Sequence, residues 1–89
     1  MTALPGAAVF NCVVNVAPRG ADGIVVATVA NLPDLVGRGK SEREALAQVV
    51  PAFKQVVARH HAVGEPIPWI EPPRALQPGE AQRLIPVHL

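Results

Sequence analysis

The chain has 89 residues and is 49% hydrophobic, so it is long enough for a single domain with one modest core. Eight Lys and Arg against seven Asp and Glu give a net charge of +1, which argues against an extended basic surface for nucleic acid. The single cysteine, Cys12, excludes an intrachain disulfide and a four-thiolate zinc site. Without a basic signal-peptide start or a long apolar run, the sequence predicts a cytoplasmic protein with no membrane span.

Three strands are predicted in the first half of the chain, after a flexible lead-in over 1–7. Apolar and polar residues alternate from Ala8 to Val16, which is the period of a half-buried strand. Turn-forming Pro and Gly residues separate it from a second strand at 23–30, so the two predict a hairpin. Residues 35–40 predict a short third strand or extended segment.

The second strand is apolar on both faces, with Ile24 and Val26 on one and Val25, Ala27 and Val29 on the other. One helix can cover only one face of a sheet, so the surplus apolar surface predicts a homodimer or higher oligomer. We assign Val25, Ala27 and Val29 to this oligomer face.

A long amphipathic helix is predicted from Ser41 to Val63. Ser41 and Glu44 have the spacing of a capping box, and Gly64 is a typical residue to end a helix. Pro51 lies inside the pattern, where proline costs about 3 kcal/mol. We therefore expect a kink there, or two abutting helices.

The last part of the chain is rich in proline. It predicts a Pro-rich connection over 64–80 and a terminal edge strand over 83–89, where Pro86 is tolerated because an edge needs fewer donors. The whole chain is predicted to be a single α+β domain over 1–89. Its order is β-β-β-α-β, with a mostly antiparallel sheet and one long helix packed on one face.

No residues with an evident catalytic or metal-binding arrangement emerge from the sequence. The acids fall in predicted turns, in the helix cap and in the tail, and His60 and His61 point about 100° apart on a helix. Cys12 shares a strand face with apolar residues and is expected to pack in the core. Trp69 is expected to cover the core as a lid, with stacking on a base or ligand as the alternative. We expect no cofactor, no metal and no enzymatic activity.

A local basic cluster, Arg38, Lys40 and Arg43, surrounds the start of the helix. It is typical of a solvated edge, and it is also a candidate contact for a partner protein or for nucleic acid. The neighbouring Gly-Arg-Gly-Lys-Ser sequence is not a phosphate-binding loop, because Asp34 stands where the first glycine of that motif belongs.

Three short motifs resemble the HicB-like antitoxin domain. They are Pro33-Asp34-Leu35, the helix start Gly39-x-Ser41-x-x-Glu44-Ala45-Leu46, and the helix exit Gly64-Glu65-Pro66-Ile67-Pro68. The resemblance implies a partial RNase H-like fold that dimerises and neutralises a HicA-type RNA-cleaving toxin by covering its active surface.

The chain departs from the family pattern in several respects. The extension that usually follows the Pro-Asp-Leu motif is shortened to Val36-Gly37, and Pro51 replaces a helix former. No DNA-binding segment follows the domain, so binding to operator DNA is not expected. The net charge of +1 also provides no acidic surface opposite a basic toxin.

The leading hypothesis is a non-enzymatic, dimeric interaction module, either a HicB-like antitoxin with a HicA-like toxin partner or an orphan relative. The alternative is a small RNA-binding domain that uses Arg38, Lys40 and Arg43. A hydrolytic enzyme is the least favoured interpretation.

Overall fold

The computed structural model describes residues 8–89, so the lead-in predicted over 1–7 lies outside the described residues. The elements are β1 (Val9–Val16), β2 (Val25–Val29), β3 (Val36–Gly39), α1 (Glu42–Val63) and β4 (Ala81–His88). The strands form one sheet in the order β3-β2-β1-β4, and each neighbouring pair is antiparallel. The predicted α+β class and the β-β-β-α-β order are confirmed.

The hydrophobic core lies between α1 and one face of the sheet. Strand residues at every second position point into it, because side chains alternate across a strand. From the helix, residues at intervals of four are buried, which gives the apolar stripe of an amphipathic helix. The fully or almost fully buried residues of these elements are Cys12, Val14, Val16, Val25, Ala27, Val29, Ala45, Val49, Phe53, Val57 and Val87.

The assignment of Val25, Ala27 and Val29 to an oligomer face is wrong. These side chains are at most 6% exposed and belong to the core beneath α1. The alternation in β2 correctly groups the three residues on one face, but the helix takes that face. The surface left for a partner must therefore lie elsewhere on the sheet.

The Pro-rich connection crosses the other face of the sheet, called here the outer face. The chain leaves α1 at the end of the sheet that is remote from Ala81, so residues 65–80 must return along its length. The Arg74 amide donates to the Ala30 carbonyl at 2.9 Å, and Asn15 Nδ2 donates to the Arg74 carbonyl at 3.2 Å. Because Asn15 lies between two core residues of β1, its side chain is on the outer face. The chain therefore covers part of this face itself.

The Asn31 side chain continues the ladder beyond the end of β2. Its Oδ1 accepts a hydrogen bond from the Val13 amide at 3.1 Å, and its Nδ2 donates to the Asn11 carbonyl at 2.8 Å. Asn31 is only 9% exposed. A side-chain amide here satisfies the buried amide of Val13 and the partly buried carbonyl of Asn11.

Glycines in β3 allow α1 to approach the sheet closely. A Cβ at Gly37 would lie 2.8 Å from Val49 Cγ1, and a Cβ at Gly39 would lie 2.9 Å from the Ala45 amide nitrogen. Both distances are shorter than real Cβ contacts, so neither position has space for a methyl group. Alternation along β3 directs Arg38 to the outer face.

The helix begins and ends as the sequence predicts, with two differences inside it. Ser41 Oγ accepts from the Glu44 amide at 3.2 Å, and Gly64 has a φ of 70°. The Glu44 carboxylate, however, accepts from the Lys40 amide at 3.1 Å instead of the Ser41 amide. Helix α1 also continues through Pro51, which is exposed, so the alternative of two abutting helices is wrong.

Replacing Gly37 with Ala should lower the free energy of unfolding by about 2–3 kcal/mol, since the added methyl would overpack the contact with α1. Urea unfolding measures this change. The matched control is Gly20→Ala, whose methyl would meet Oδ1 of the Asp22 side chain at 2.9 Å, where only an exposed hydrogen bond from the Ile24 amide has to adjust. We expect it to cost less than about 1 kcal/mol. Equal losses in the two variants would contradict the close contact at Gly37.

Candidate functional site

The two edges of the sheet differ in whether their outward backbone groups are satisfied. At the β3 edge, the Arg38 amide donates to Gln48 Oε1 at 2.9 Å and the Lys40 amide donates to Glu44 Oε1 at 3.1 Å. Both acceptors come from α1. The helix therefore blocks this edge to a further strand, which is one of the ways in which proteins protect sheet edges.

The β4 edge is open in the part of the chain that the structure describes. The Leu89 amide donates to the Ala8 carbonyl at 3.0 Å, and antiparallel pairing alternates from there, so Val87, Ile85 and Arg83 also direct their backbone groups to β1. The residues between them direct theirs away from the sheet. We call this outward row, Gln82, Leu84, Pro86 and His88, the free edge.

Within residues 8–89, no hydrogen bond uses the amides of Gln82, Leu84 or His88. The carbonyl of Gln82 accepts only a long bond, 3.3 Å, from the neighbouring Arg83 guanidinium. Pro86 belongs to the same row, so its missing N–H removes no bond to β1. The edge position of β4 agrees with the position expected from Pro86.

Exposed apolar side chains accompany the free edge. Leu84 is 67% exposed and Val9, on the adjacent strand, is 53% exposed. Both lie on the outer face, because Leu84 pairs with Val13 and Val9 pairs with His88. The free edge therefore combines unsatisfied backbone donors with apolar surface, which is the composition of a strand-addition site.

The predicted basic cluster is divided by the sheet. Arg38 lies on the outer face of β3, whereas Arg43 lies in the first turn of α1 on the other side. Arg19, which the sequence analysis missed, joins Lys40 because its Nη2 donates to the Lys40 carbonyl at 2.8 Å. The hairpin turn brings Arg19 there, and no local pattern in the sequence indicated this contact.

Acidic residues interrupt the positive charge in this region. In the sequence, Glu42 lies between Lys40 and Arg43, and Glu44 follows Arg43. The Glu44 carboxylate accepts a hydrogen bond from the Lys40 amide. Glu42 forms a two-point ion pair with Arg83, at 2.9 and 3.1 Å. The ion pair is partly exposed and joins the start of α1 to β4.

The remaining candidates for chemistry have structural roles. Cys12 is fully buried, and burial raises the pKa of its thiol to about 12, so it is not a thiolate at neutral pH. Trp69 packs as the expected lid, with its ring centroid 6.0 Å from those of Phe10 and Phe53. His61 meets the Phe10 ring edge-on at 6.2 Å.

The histidines do not converge. His60 Nδ1 is 2.9 Å from the Val56 carbonyl within α1, whereas His88 lies on the outer face of β4. Among residues 8–89, no three His, Cys, Asp or Glu side chains are grouped so that they could hold a metal ion. An open depression of about 240 Å³ lies on the outer face among polar residues, including Asn15, Thr28 and Arg74.

Comparisons of the chain with family models, curated proteins and solved structures found no match. The likeness to HicB-like domains therefore rests on the sequence motifs alone. In the described part of the chain, α1 is the only helix, and it lacks the length of apolar sequence needed to cross a membrane.

The buried thiol predicts a specific pH dependence. The folded pKa of Cys12 is raised from 9.0 to about 12, so its stabilising contribution is complete below pH 9 and is lost as the pH rises towards 12. Between these values the unfolded chain has lost the thiol proton and the folded chain keeps it. The free energy of unfolding should therefore fall by about 1.4 kcal/mol per pH unit relative to the Cys12→Ala variant. Parallel pH profiles of the two proteins, measured by urea unfolding, would contradict this assignment.

Proposed function

We propose that this chain is a non-enzymatic protein-interaction module, a HicB-like antitoxin or an orphan relative of one. In this proposal it forms a homodimer and neutralises a HicA-type RNA-cleaving toxin by masking it. The observation that carries the proposal is the contrast between the two sheet edges: α1 satisfies the Arg38 and Lys40 amides at the β3 edge, whereas within residues 8–89 the β4 edge has three amides without a partner, beside the exposed Leu84.

A free strand edge is suited to recognising protein. Its amides and carbonyls pair with any extended chain, so the backbone supplies affinity and flanking side chains supply selectivity. The Leu84 side chain can supply this selectivity because it is exposed near the middle of the free edge. Catalysis would instead require a nucleophile, a base or a metal site within reach of a substrate.

The residues that resemble the HicB-like motifs have structural tasks that support the family likeness. Asp34 adopts a positive φ of 63°, and the carbonyl of Leu35 accepts from the Val29 amide at 2.9 Å. Gly39 allows the start of α1 to approach, and Ser41 caps it. The motif therefore specifies a turn, an edge strand and a helix start, and these are features of a scaffold.

Growth rescue tests the proposed function. The full chain should restore growth to cells that express a short basic toxin of the HicA type from the neighbouring reading frame, and the two proteins should elute together in size-exclusion chromatography. The matched control is a chain with Leu84→Asp, which keeps the β1 ladder but places a charge beside the free edge. A toxin that remains fully active and elutes alone in the presence of the folded chain would contradict the proposal.

The second candidate, a small RNA-binding domain, is favoured by one observation. Arg19 adds a fourth cation to Arg38, Lys40 and Arg43 through its bond to the Lys40 carbonyl. Such a site should bind RNA in a gel-shift assay at low salt and lose affinity as salt rises. Replacing Arg38 and Lys40 with Gln should then weaken binding, whereas replacing Lys54 and Arg59 on α1 should not. No shift at low salt removes this candidate.

A further inference from the structure

We propose that the free edge of β4 pairs with the same edge of a second copy of this chain, in the antiparallel register that places Ile85 opposite Ile85. The two sheets would then form one continuous eight-stranded sheet, four strands from each copy. This inference rests on the proposed function, since it identifies the partner that occupies the free edge in the dimer.

The free edge itself selects this register. In a two-fold pair centred on Ile85, Gln82 faces His88 of the second copy and Leu84 faces Pro86. Antiparallel residues in this row exchange backbone bonds. The amides of Gln82 and His88 donate to each other's carbonyls, and the Leu84 amide donates to the Pro86 carbonyl. All three free amides of each copy are satisfied, which gives six hydrogen bonds in the dimer.

The neighbouring registers are poorer. A register with Leu84 opposite itself also gives each outward amide an acceptor, and one carbonyl per copy faces Pro86 in both registers: that of Gln82 here, and that of Leu84 in the register centred on Ile85. The Leu84-centred register leaves a second carbonyl without a donor, because His88 faces Glu80, whose amide already donates to Gln77. If Arg83 faced itself, only Gln82 and Leu84 would exchange bonds within the strands. That register would also bring two guanidinium groups together, which is unfavourable for a directly opposed pair.

The side chains agree with the register centred on Ile85. On the outer face, the exposed Leu84 would pack on the Pro86 ring of the second copy. On the helix side, the half-buried Ile85 would contact Ile85 of the second copy. Arg83 would face Val87 of the second copy instead of another cation. The close approach of α1 is to β3, at the opposite edge, and its first turn reaches β4 through the ion pair between Glu42 and Arg83.

Single cysteines placed along β4 measure the register. Ile85→Cys, Leu84→Cys and Arg83→Cys each sit on the two-fold axis of a different register, and directly opposed cysteines are close enough to form a disulfide. The wild-type chain is the control, because its own Cys12 is buried. Under mild oxidation we expect Ile85→Cys to form a covalent dimer at least about ten-fold faster than the other two variants. Faster crosslinking of Leu84→Cys or Arg83→Cys, or no crosslinking at all, overturns the proposal.

A second pair of variants tests the backbone bonds without altering the ladder to β1. Gln82→Pro removes one outward amide from each copy, and Gln82→Ala removes the same side chain but keeps the amide. Analytical ultracentrifugation should show about ten-fold weaker dimerisation for Gln82→Pro than for Gln82→Ala, since two hydrogen bonds are lost. Equal dimerisation overturns edge pairing.

The outcome is separable from that of the proposed function. If the wild-type chain stays monomeric at about 100 μM, well above a micromolar dissociation constant, self-pairing and the proposed homodimer both fail, whereas growth rescue by that chain would still support toxin neutralisation. If Ile85→Cys crosslinks but the toxin stays active, self-pairing stands and the antitoxin proposal fails.

Discussion

The close contact between α1 and β3 is the constraint on which the arrangement of the sheet depends. Gly37 and Gly39 leave no room for side chains beneath the helix, so α1 lies close enough for Glu44 and Gln48 to reach the outward amides of β3. This close packing has two results. It buries the apolar stripe of the helix, and it gives the outward amides of Arg38 and Lys40 acceptors from within the chain.

The same contact determines how the chain reaches its last strand. Since α1 runs back along the sheet from the end of β3, residues 65–80 must return across the outer face before β4 can pair with β1. Hydrogen bonds from Ile70 and Arg74 to the carbonyls of Asn31 and Ala30 hold this return segment in place. The fold therefore covers both faces near its centre and leaves its exposed backbone at β4.

Much of the fold follows from local signals in the sequence. Alternation identifies β1, an apolar run after turn-forming residues identifies β2, the Ser41 cap and Gly64 mark the ends of α1, and Pro86 indicates an edge strand. These predictions succeed because strand period, capping and proline geometry act within a few residues. Contacts between residues that are far apart in the sequence are harder to predict from it. Periodicity shows which residues of β2 share a face, but it cannot show which face the helix covers.

The candidate site illustrates the same limit. The free edge is defined by which amides lack partners, and this depends on Gln48 and Glu44 reaching β3 from the helix. The role of Asn31 also depends on a strand that is distant in sequence. The cationic residues could be listed from the sequence, but their separation by the sheet and the addition of Arg19 required the fold.

The position of β1 has a consequence for the order in which the molecule folds. β1 is an inner strand only when β4 is in place, and their register joins Val9 to His88, so this pairing closes a loop that spans almost the whole chain. Hairpin and helix contacts close much shorter loops and carry a smaller entropy cost. A nascent chain that has not yet added β4 therefore exposes the β1 edge, including the backbone beside Cys12 and Val14. The strand that offers a free edge in the mature molecule is the one that covers an aggregation-prone edge during synthesis.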